Sequence, residues 1–424
     1  MTQVFDSPGA PPIEERSPTI VLTFCWSFGI PGGVGRHLQE LARSLAAEGA
    51  KVLVVTLKTA RHSRFPRPKL TEEFLGLEVE AELKLLGVEV IRPEPNPLHW
   101  MLDARVMKRE VAKLLETRQV DAVLSFYYEC AFLPDLCAAK GVPWGIVATL
   151  QSYAMTRDYE CGHSGLSGKL RRRMFQRNVV ASHRRAQLIF ANSNFTIGEL
   201  RDVLGVDVSK AKVTYLGVDP KFGAMYDDAE REQRGAVRNL LFFGRVIEEK
   251  GIFDALQALA KLKAAGYDDW KLRVLGTGDK QRLRQGIAHF GFEQHVEVLV
   301  HQDDKGLREQ FAWADLAVLP SHAESFGLAI AEANCAGLPV VAFAAGSVPE
   351  VVLDGETAWL APLGDIDALA ACIRAAFDDP TEARRRGRAG NARVLETFRW
   401  DRTAKTILGR VAEVGSATDN STAK

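Results

Sequence analysis

The sequence predicts an α/β protein made of two doubly wound units that face each other across a cleft. Its 424 residues are too many for one ordinary core and suit two domains of roughly 200 residues each. Short apolar runs alternate with helical patterns from Pro18 onwards, and the same alternation restarts after a polar break. Strands separated by helices indicate parallel sheets, in which ligands bind at the carboxyl ends of the strands.

The first unit is predicted at 18–219, after a segment at 1–17 that we expect to be disordered. TIVLTFC and KVLVVTL predict buried strands, and VDAVLSF, WGIVATL and AQLIFANS predict three more. Between the first two strands, GGVGRHLQELARSLAAEG predicts a glycine loop and a helix because Leu38, Leu41 and Leu45 recur at helical spacing. Such a loop lets backbone N–H groups approach a phosphate, although a plain strand-to-helix turn has the same composition.

A linker at 220–237 and a second unit at 238–398 are predicted next. NLLFFGRV, WKLRVLGTG, HVEVLV, LAVLPS and PVVAFA predict strands, and IFDALQALAKLKAAG predicts a helix. The amphipathic segment FRWDRTAKTILGRVAEV predicts a last helix at 399–415 that packs back across both domains. The small polar tail at 416–424 is expected to be disordered.

Two cations follow the first strand of the second unit. Arg245 comes after this strand, and Lys250 precedes the helix that starts near Ile252. This arrangement suits a diphosphate whose negative charge grows as a bond breaks. Two solvated surface charges are the alternative for an isolated arginine and lysine.

The segment HAESFGLAIAEANCAGLPVV places Glu324 before a helix that we expect to begin at Phe326 or Gly327. Backbone N–H groups of Phe326, Gly327 and Leu328 have no intrahelical partner there and suit phosphate oxygens. Glu332 lies inside the helix among apolar neighbours, where an unpaired charge is costly. A nucleotide sugar, with hydroxyls at both ends and phosphates between, fits two carboxylates spaced in this way.

On FGRVIEEKGI, ADLAVLPSHAESFGLAIAEANCAGLPVVA and GSVPEVVLDGE, the chain resembles the GT4 family of retaining glycosyltransferases. The resemblance runs from GGVGRHLQELARSLAAEGAKVLVVT to TFRWDRTAKTIL and implies the GT-B fold of two Rossmann-like domains. It implies transfer of a sugar from a nucleoside diphosphate sugar to an acceptor held by the N-terminal half. UDP is the expected nucleotide on family frequency, with GDP and ADP left open.

The resemblance also implies a role for each candidate residue. Glu324 would contact hydroxyls of the transferred sugar, Glu332 would bind the ribose, and Arg245 with Lys250 would bind the diphosphate. We therefore assign catalytic roles to Arg245, Lys250 and Glu324. Further donor-binding candidates lie in the glycine loop, the distal phosphate site and the base site: Gly32, Gly33, Ser325, Phe326, Gly327, Leu328, Val300 and His301.

Two positions depart from the family pattern. Gln151 and Phe126 stand where the family often has histidine, and glutamine cannot take a proton. No histidine acid–base step is therefore carried over, and Gln151 and Tyr153 are candidates for sugar or acceptor contacts. The resemblance implies front-face attack, in which the departing diphosphate assists removal of the acceptor proton.

No His or Cys cluster has metal-ligand spacing, so we expect no metal and no cofactor besides the nucleotide-sugar co-substrate. Six scattered cysteines are typical of reduced thiols in a cytoplasmic protein. Net charge is zero, so no nucleic acid partner is expected. No apolar stretch approaches the length of about 18 residues that spans a membrane.

A basic stretch at 169–185 has three interpretations. It is a solvated helix face, a site for an anionic acceptor, or a face that contacts the inner membrane surface. The sequence does not identify the acceptor, and a small molecule, a glycan and a lipid-linked acceptor all stay open.

Other functions are weighed against transfer. A nucleotide-sugar epimerase needs acid–base residues near the sugar, and the motifs supply none. A non-catalytic sugar-nucleotide-binding protein would not need Arg245, Lys250, Glu324 and Glu332 together. A dinucleotide dehydrogenase needs an acid at the end of the second strand, and KVLVVTLK ends without one.

Overall fold

The computed structural model describes most of the chain as two parallel sheets covered by helices. The described residues are 16–24, 33–58, 70–94, 103–126, 132–148, 173, 177, 180–225, 235–299 and 304–422. An α/β fold with two doubly wound, Rossmann-like units is thereby confirmed. Among the helices of these residues, none combines the length and apolar character needed to cross a membrane.

The N-terminal half is built on a seven-stranded parallel sheet in the order β3-β2-β1-β4-β5-β6-β7. Its elements are β1 (Thr19–Phe24), α1 (Gly33–Ala47), β2 (Lys51–Thr56), α2 (Leu70–Leu85), β3 (Glu89–Ile91), α3 (Asp103–Thr117), β4 (Ala122–Ser125), α4 (Leu133–Ala139), β5 (Trp144–Ala148), β6 (Leu188–Ala191), α5 (Asn194–Asp202) and β7 (Ala211–Val213). The central strands β1, β4 and β5 are buried along their whole length, as expected for a sheet covered on both faces.

The C-terminal half is built on a six-stranded parallel sheet in the order β10-β9-β8-β11-β12-β13. Its elements are β8 (Asn239–Phe243), α6 (Ile252–Ala264), β9 (Lys271–Leu275), α7 (Lys280–His289), β10 (Val296–Leu299), α8 (Asp304–Trp313), β11 (Leu316–Val318), α9 (Leu328–Cys335), β12 (Val340–Phe343), α10 (Val348–Val351), β13 (Ala358–Ala361), α11 (Ile366–Asp378) and α12 (Pro380–Thr397).

The last helix, α13 (Trp400–Thr422), follows the C-terminal unit but packs against α1 of the N-terminal unit. Ala404, Ile407 and Val411 are buried in the N-terminal core. Gly217 is needed where the chain passes between the units, because a Cβ there would lie 2.3 Å from Trp400 Cγ. The helix extends to Thr422, beyond the boundary at 415 that the sequence suggests, so most of the tail expected to be disordered is helical.

Each strand segment predicted from the sequence contains a strand of the sheets. Three strands, β3, β7 and β13, have no counterpart in the prediction. β3 and β7 are only three residues long and lie at sheet edges. β13 has only four residues, AWLA, between two turns, which is too short for a clear alternating pattern.

Candidate active site

The candidate site begins where two neighbouring strands of the C-terminal sheet end. β8 and β11 are adjacent although they are not consecutive in the chain, so the sheet order reverses between them. In open α/β sheets this reversal leaves a crevice at the carboxyl ends, where ligands bind. The segment after β8 contains Arg245 and Lys250, and the segment after β11 contains Glu324. The fold therefore brings the two predicted halves of the diphosphate–sugar site together.

The segment that holds Lys250 packs tightly against the segment after β11. Gly251 has φ +71°, and a Cβ at this residue would lie only 1.8 Å from the carbonyl oxygen of Pro320. The backbone N–H of His322 donates to the Glu249 carbonyl at 2.8 Å. His322 also pairs with Asp254 at the start of α6. Only glycine fits this contact, and the two segments are therefore fixed relative to each other.

Lys250 and Glu324 form an ion pair, with 2.6 Å between Lys250 Nζ and Glu324 Oε1. Their side chains are 21% and 13% exposed, so the pair is largely shielded from water. A phosphate would compete for the ammonium, and a sugar hydroxyl would donate to the carboxylate. Arg245 is exposed in the same segment, and its guanidinium forms no ion pair with any described residue. It is available to an anionic ligand.

The backbone of Glu324 is held from a third segment, between β12 and α10. The N–H and the hydroxyl of Ser347 both donate to the Glu324 carbonyl, at 3.0 and 3.1 Å. Gly346 has φ +58°, and a Cβ there would lie 2.2 Å from the same carbonyl oxygen. The motif GSVPE thus positions the glutamate through its main chain.

Helix α9 begins at Leu328, one or two residues later than the sequence suggests, with Gly327 in the left-handed region at φ +89°. Phe326 is buried, and its ring lies 5.3 Å from the ring of Phe398. Its side chain therefore anchors the segment in the core, and only backbone groups of Phe326, Gly327 and Leu328 remain for a ligand. Unpaired N–H groups at a helix start favour an anion.

Glu332 lies in α9 and is 6% exposed, as expected from its apolar neighbours. Its charge is paired: Arg36 Nη1 of helix α1 lies 2.5 Å from Glu332 Oε1. Burial raises the pKa of Glu332, and the nearby Arg36 and Lys221 act in the opposite direction. The pair joins the N-terminal unit to the C-terminal unit.

A second set of contacts joins the two units beside the start of α9. Asn192 Nδ2 donates to Ser325 Oγ at 3.1 Å, and Ser193 Oγ donates to the Ser325 carbonyl at 2.7 Å. The carboxylate of Glu350 accepts from the backbone N–H groups of Asn194 and Phe195, at 2.8 and 2.7 Å. The end of β6 and the start of α5 are therefore docked onto the predicted phosphate segment.

Glu350 also accepts a hydrogen bond from the Tyr215 hydroxyl at 3.0 Å. Burial raises the pKa of Tyr215 to about 12, with the adjacent Glu350 carboxylate acting in the same direction. The phenol is therefore a neutral donor over the whole physiological range. The Asn194 side-chain amide also donates to Glu350, at 2.9 Å, so the carboxylate accepts four hydrogen bonds at this contact.

Several predicted residues stay outside these contacts. Gly33 is the exposed first residue of α1, and a Cβ added there would meet no described atom within 4 Å. The remaining candidates lie outside the described residues, and their placement stays a prediction: Gly32, Val300, His301, Gln151 and Tyr153. Most of the basic stretch at 169–185 also lies outside the described residues. Phe126, one of the two positions that depart from the family pattern, is buried, and its ring lies 5.1 Å from the ring of His37.

Sequence reasoning missed Arg36, Asn192, Ser193 and Glu350. Arg36 had a usable signal, since it is the first cation after the glycine loop and lies in the first turn of α1. Ser193 also had one: it is the N-cap of α5 and accepts from Thr196 N at 3.0 Å. Its additional bond to Ser325, which is 132 positions away, has no local signature.

The two Rossmann-like units together have the architecture of the GT-B fold. Sucrose-phosphate synthase from Thermosynechococcus elongatus superposes with a TM-score of 0.75 at 20% identity, covering 94% of this chain and 100% of that one. Anabaena HepE in complex with UDP-glucose superposes with a TM-score of 0.69 at 20% identity, covering 94% and 99%.

Sequence comparison narrows this class to a family. The model "Glycosyltransferase Family 4" matches residues 31–222, and "Glycosyl transferases group 1" matches residues 228–393. Glycogen synthase of Mycobacterium tuberculosis is 28% identical over 404 residues, covering 91% of this chain and 92% of that protein. The chain belongs to the GT4 family of glycosyltransferases.

Proposed function

We propose that this enzyme transfers a sugar, with retention of configuration, from a nucleoside diphosphate sugar to an acceptor bound by the N-terminal half. The main support is the Lys250–Glu324 pair at the point where the C-terminal sheet order reverses. In this proposal, Lys250 would bind a phosphate, and Glu324 beside it would accept a hydrogen bond from a sugar hydroxyl. Glu332, further along α9, would then accept hydrogen bonds from the ribose.

The chemical step follows from these groups. The bond between the sugar and the diphosphate breaks, and negative charge develops on the leaving oxygen. Arg245, Lys250 and the N–H groups at the start of α9 would stabilise this charge. The acceptor hydroxyl forms the new bond on the face that the diphosphate leaves, and its proton passes to a diphosphate oxygen. Glu324 would hold the sugar during the exchange.

The nucleotide and the role of metals are parts of the same proposal. We favour UDP, because the similar HepE structure contains UDP-glucose. Two cations in the segment after β8 would neutralise the diphosphate, so we propose that transfer needs no divalent metal. Turnover should then be unchanged by EDTA, and activity restored only by added Mg²⁺ or Mn²⁺ would contradict this part.

A thermal-shift screen over UDP-, GDP- and ADP-sugars tests the donor. A ligand that binds only the folded protein at about 100 times its Kd stabilises it by roughly 2.7 kcal/mol, so the matching donor should raise the Tm clearly. The variant Lys250→Ala should lose most of the shift. Lys261→Ala is the control, because Lys261 is a half-exposed lysine of α6 that pairs with Asp367 away from the site.

The products formed from the donor found in this screen identify the reaction. With a suitable acceptor, or slowly with water, the enzyme should release the free nucleoside diphosphate. An epimerised nucleotide sugar without release of nucleotide would indicate the epimerase instead. No shift with any nucleotide sugar, or equal shifts in both lysine variants and the wild type, would contradict the proposed donor site.

A further inference from the structure

The ion pair between Arg36 and Glu332 joins the two units and is buried at its Glu332 end. Glu332 comes from α9 of the C-terminal unit, and Arg36 from the first turn of α1 in the N-terminal unit, 296 positions away. The carboxylate side chain is 8% exposed, whereas the arginine side chain is 35% exposed. A buried anion is therefore neutralised by a cation whose own side chain stays partly exposed to solvent.

Only one oxygen of the carboxylate is used by this pair. Arg36 Nη1 donates to Oε1, and within the described part of the chain no hydrogen bond reaches Oε2. A carboxylate can accept several hydrogen bonds, so Oε2 is free to accept from a ligand while Oε1 stays paired. The same carboxylate can therefore bind a hydroxyl without giving up its counter-ion.

The other charges near Glu332 do not replace Arg36. Lys221 favours the anion and Asp219 opposes it, and both lie where the first unit passes into the linker. The thiol of Cys335, on the same helix as Glu332, is also nearby. Lys221 and Asp219 pair with each other, with 3.2 Å between Lys221 Nζ and Asp219 Oδ2. Arg36 is the cation in direct contact with Glu332, and its guanidinium lies 5.7 Å from the ring centre of Phe222.

We propose that Arg36 is a positioning residue of the donor site: it holds the Glu332 carboxylate as an oriented anion whose free oxygen accepts the ribose hydroxyls. This rests on the proposed function, because Glu332 must bind ribose. Since the two residues belong to different units, the ribose site is complete only when the units are docked in this arrangement. Arg36 acts through Glu332 and need not touch the sugar that is transferred.

The test is the pH dependence of donor affinity in Arg36→Met, which removes the charge but keeps a long side chain. An opposite charge in contact typically lowers a carboxyl pKa by about 1–3 units, so its loss lets burial raise the pKa of Glu332 further. Donor affinity needs the anion and falls as pH decreases through this pKa. The acid limb of donor affinity should therefore move to higher pH by about one unit or more in Arg36→Met.

Two variants separate charge from structure. Arg36→Lys keeps the cation and should retain an acid limb close to the wild type. Arg43→Met is the matched control, because Arg43 lies two turns further along α1 and pairs with Glu40 and Glu82 instead. Its acid limb should be unchanged. Equal limbs in Arg36→Met and the wild type, or equal shifts in the Met and Lys variants, would overturn the proposal.

Glu332→Gln separates this proposal from the one on which it rests. In that background donor binding should be weak and free of the acid limb, and adding Arg36→Met should change it little. Wild-type donor affinity in Glu332→Gln would mean that Glu332 does not bind ribose, and the proposed donor site would fail with it. Weak binding in Glu332→Gln with an unshifted limb in Arg36→Met would remove the role of Arg36 alone.

Discussion

The two carboxylates of the site are held in different ways. At the proposed sugar end, Glu324 pairs with Lys250 of the same unit, and both segments are fixed by glycine contacts with neighbouring carbonyls. At the proposed ribose end, Glu332 is more deeply buried and pairs with Arg36 of the other unit. Both members of the Lys250–Glu324 pair therefore belong to the C-terminal unit, whereas the pair at Glu332 needs both units.

This difference predicts that changes at the two ends affect different properties of the enzyme. In the proposed mechanism the sugar end would stabilise the charge that develops in the chemical step, so changes there should act mainly on turnover. The ribose end and the contacts beside it depend on docking of the units, so changes there should act on donor affinity and on stability. The largest effect is expected at the sugar end.

Removal of either cation after β8 should lower turnover on the order of a hundredfold or more, because one such contact to a developing charge is worth about 2.7–4 kcal/mol. Arg245→Ala and Lys250→Ala are the variants, and steady-state kcat with the donor found in the screen is the measurement. Lys250→Ala also leaves Glu324 without its partner. Arg245→Ala lacks this complication, since Arg245 has no ion pair in the described residues.

Lys261→Ala again serves as the control and should retain wild-type kcat. Near-normal turnover in both Arg245→Ala and Lys250→Ala would refute the leaving-group role. A rise in the donor KM without a fall in kcat would place these cations in ground-state binding instead.

The sequence was sufficient for the fold and for the strands and helices that carry the C-terminal candidate residues. Arg245, Lys250, Glu324 and Glu332 lie on or beside segments with strong strand and helix signals, whereas their roles came from the family resemblance and stay predictions. Burial of Glu332 followed from its neighbours Ile330 and Ala331. These features depend on patterns that are local in the sequence, whereas the contact between Lys250 and Glu324 joins residues 74 positions apart.

The contacts between the units could not be predicted in the same way. Arg36 meets Glu332, and Ser193 meets Ser325, only because two separate sheets are docked at a particular angle. Neither partner shows a pattern that depends on the other. The short edge strands β3 and β7 were missed for a related reason, because three residues carry too little periodicity.

The glycine contact behind Glu324 gives the second prediction. In Gly346→Ala the new Cβ would lie 2.2 Å from the Glu324 carbonyl oxygen in a left-handed conformation, so the backbone of Glu324 must move. Displacement of a catalytic group by a fraction of an ångström should lower kcat by about tenfold. Left-handed strain alone costs about 1–3 kcal/mol of stability.

The variant Gly355→Ala measures the effect of left-handed backbone strain without a contact to Glu324. Gly355 also has a left-handed φ, +78°, but no described atom lies within 4 Å of the added Cβ. This variant should lose stability while its kcat stays near the wild-type value. If the two alanine variants showed the same kcat, the contact with Glu324 would not position the sugar end.

The smallest effect is expected where the units dock. Glu350→Gln removes the negative charge at the start of α5. Because the N–H groups of Asn194 and Phe195 donate to different oxygens of the carboxylate, the single amide oxygen can accept from only one of them. The loss of a charge-assisted bond at a helix start should lower the free energy of unfolding by about 1 kcal/mol, measured by urea denaturation. Glu356→Gln is the control, because Glu356 is exposed nearby and its carboxylate accepts no hydrogen bond in the described residues.

If docking supports the ribose end, Glu350→Gln should also weaken donor binding modestly while kcat at saturating donor is retained. The opposite outcome, a lower kcat with unchanged donor affinity, would mean that the contact at α5 serves the sugar end through Ser325. The two ends would then not be separable. Unchanged stability would instead assign the docking of the units mainly to α13, whose residues Ala404, Ile407 and Val411 are buried in the N-terminal core.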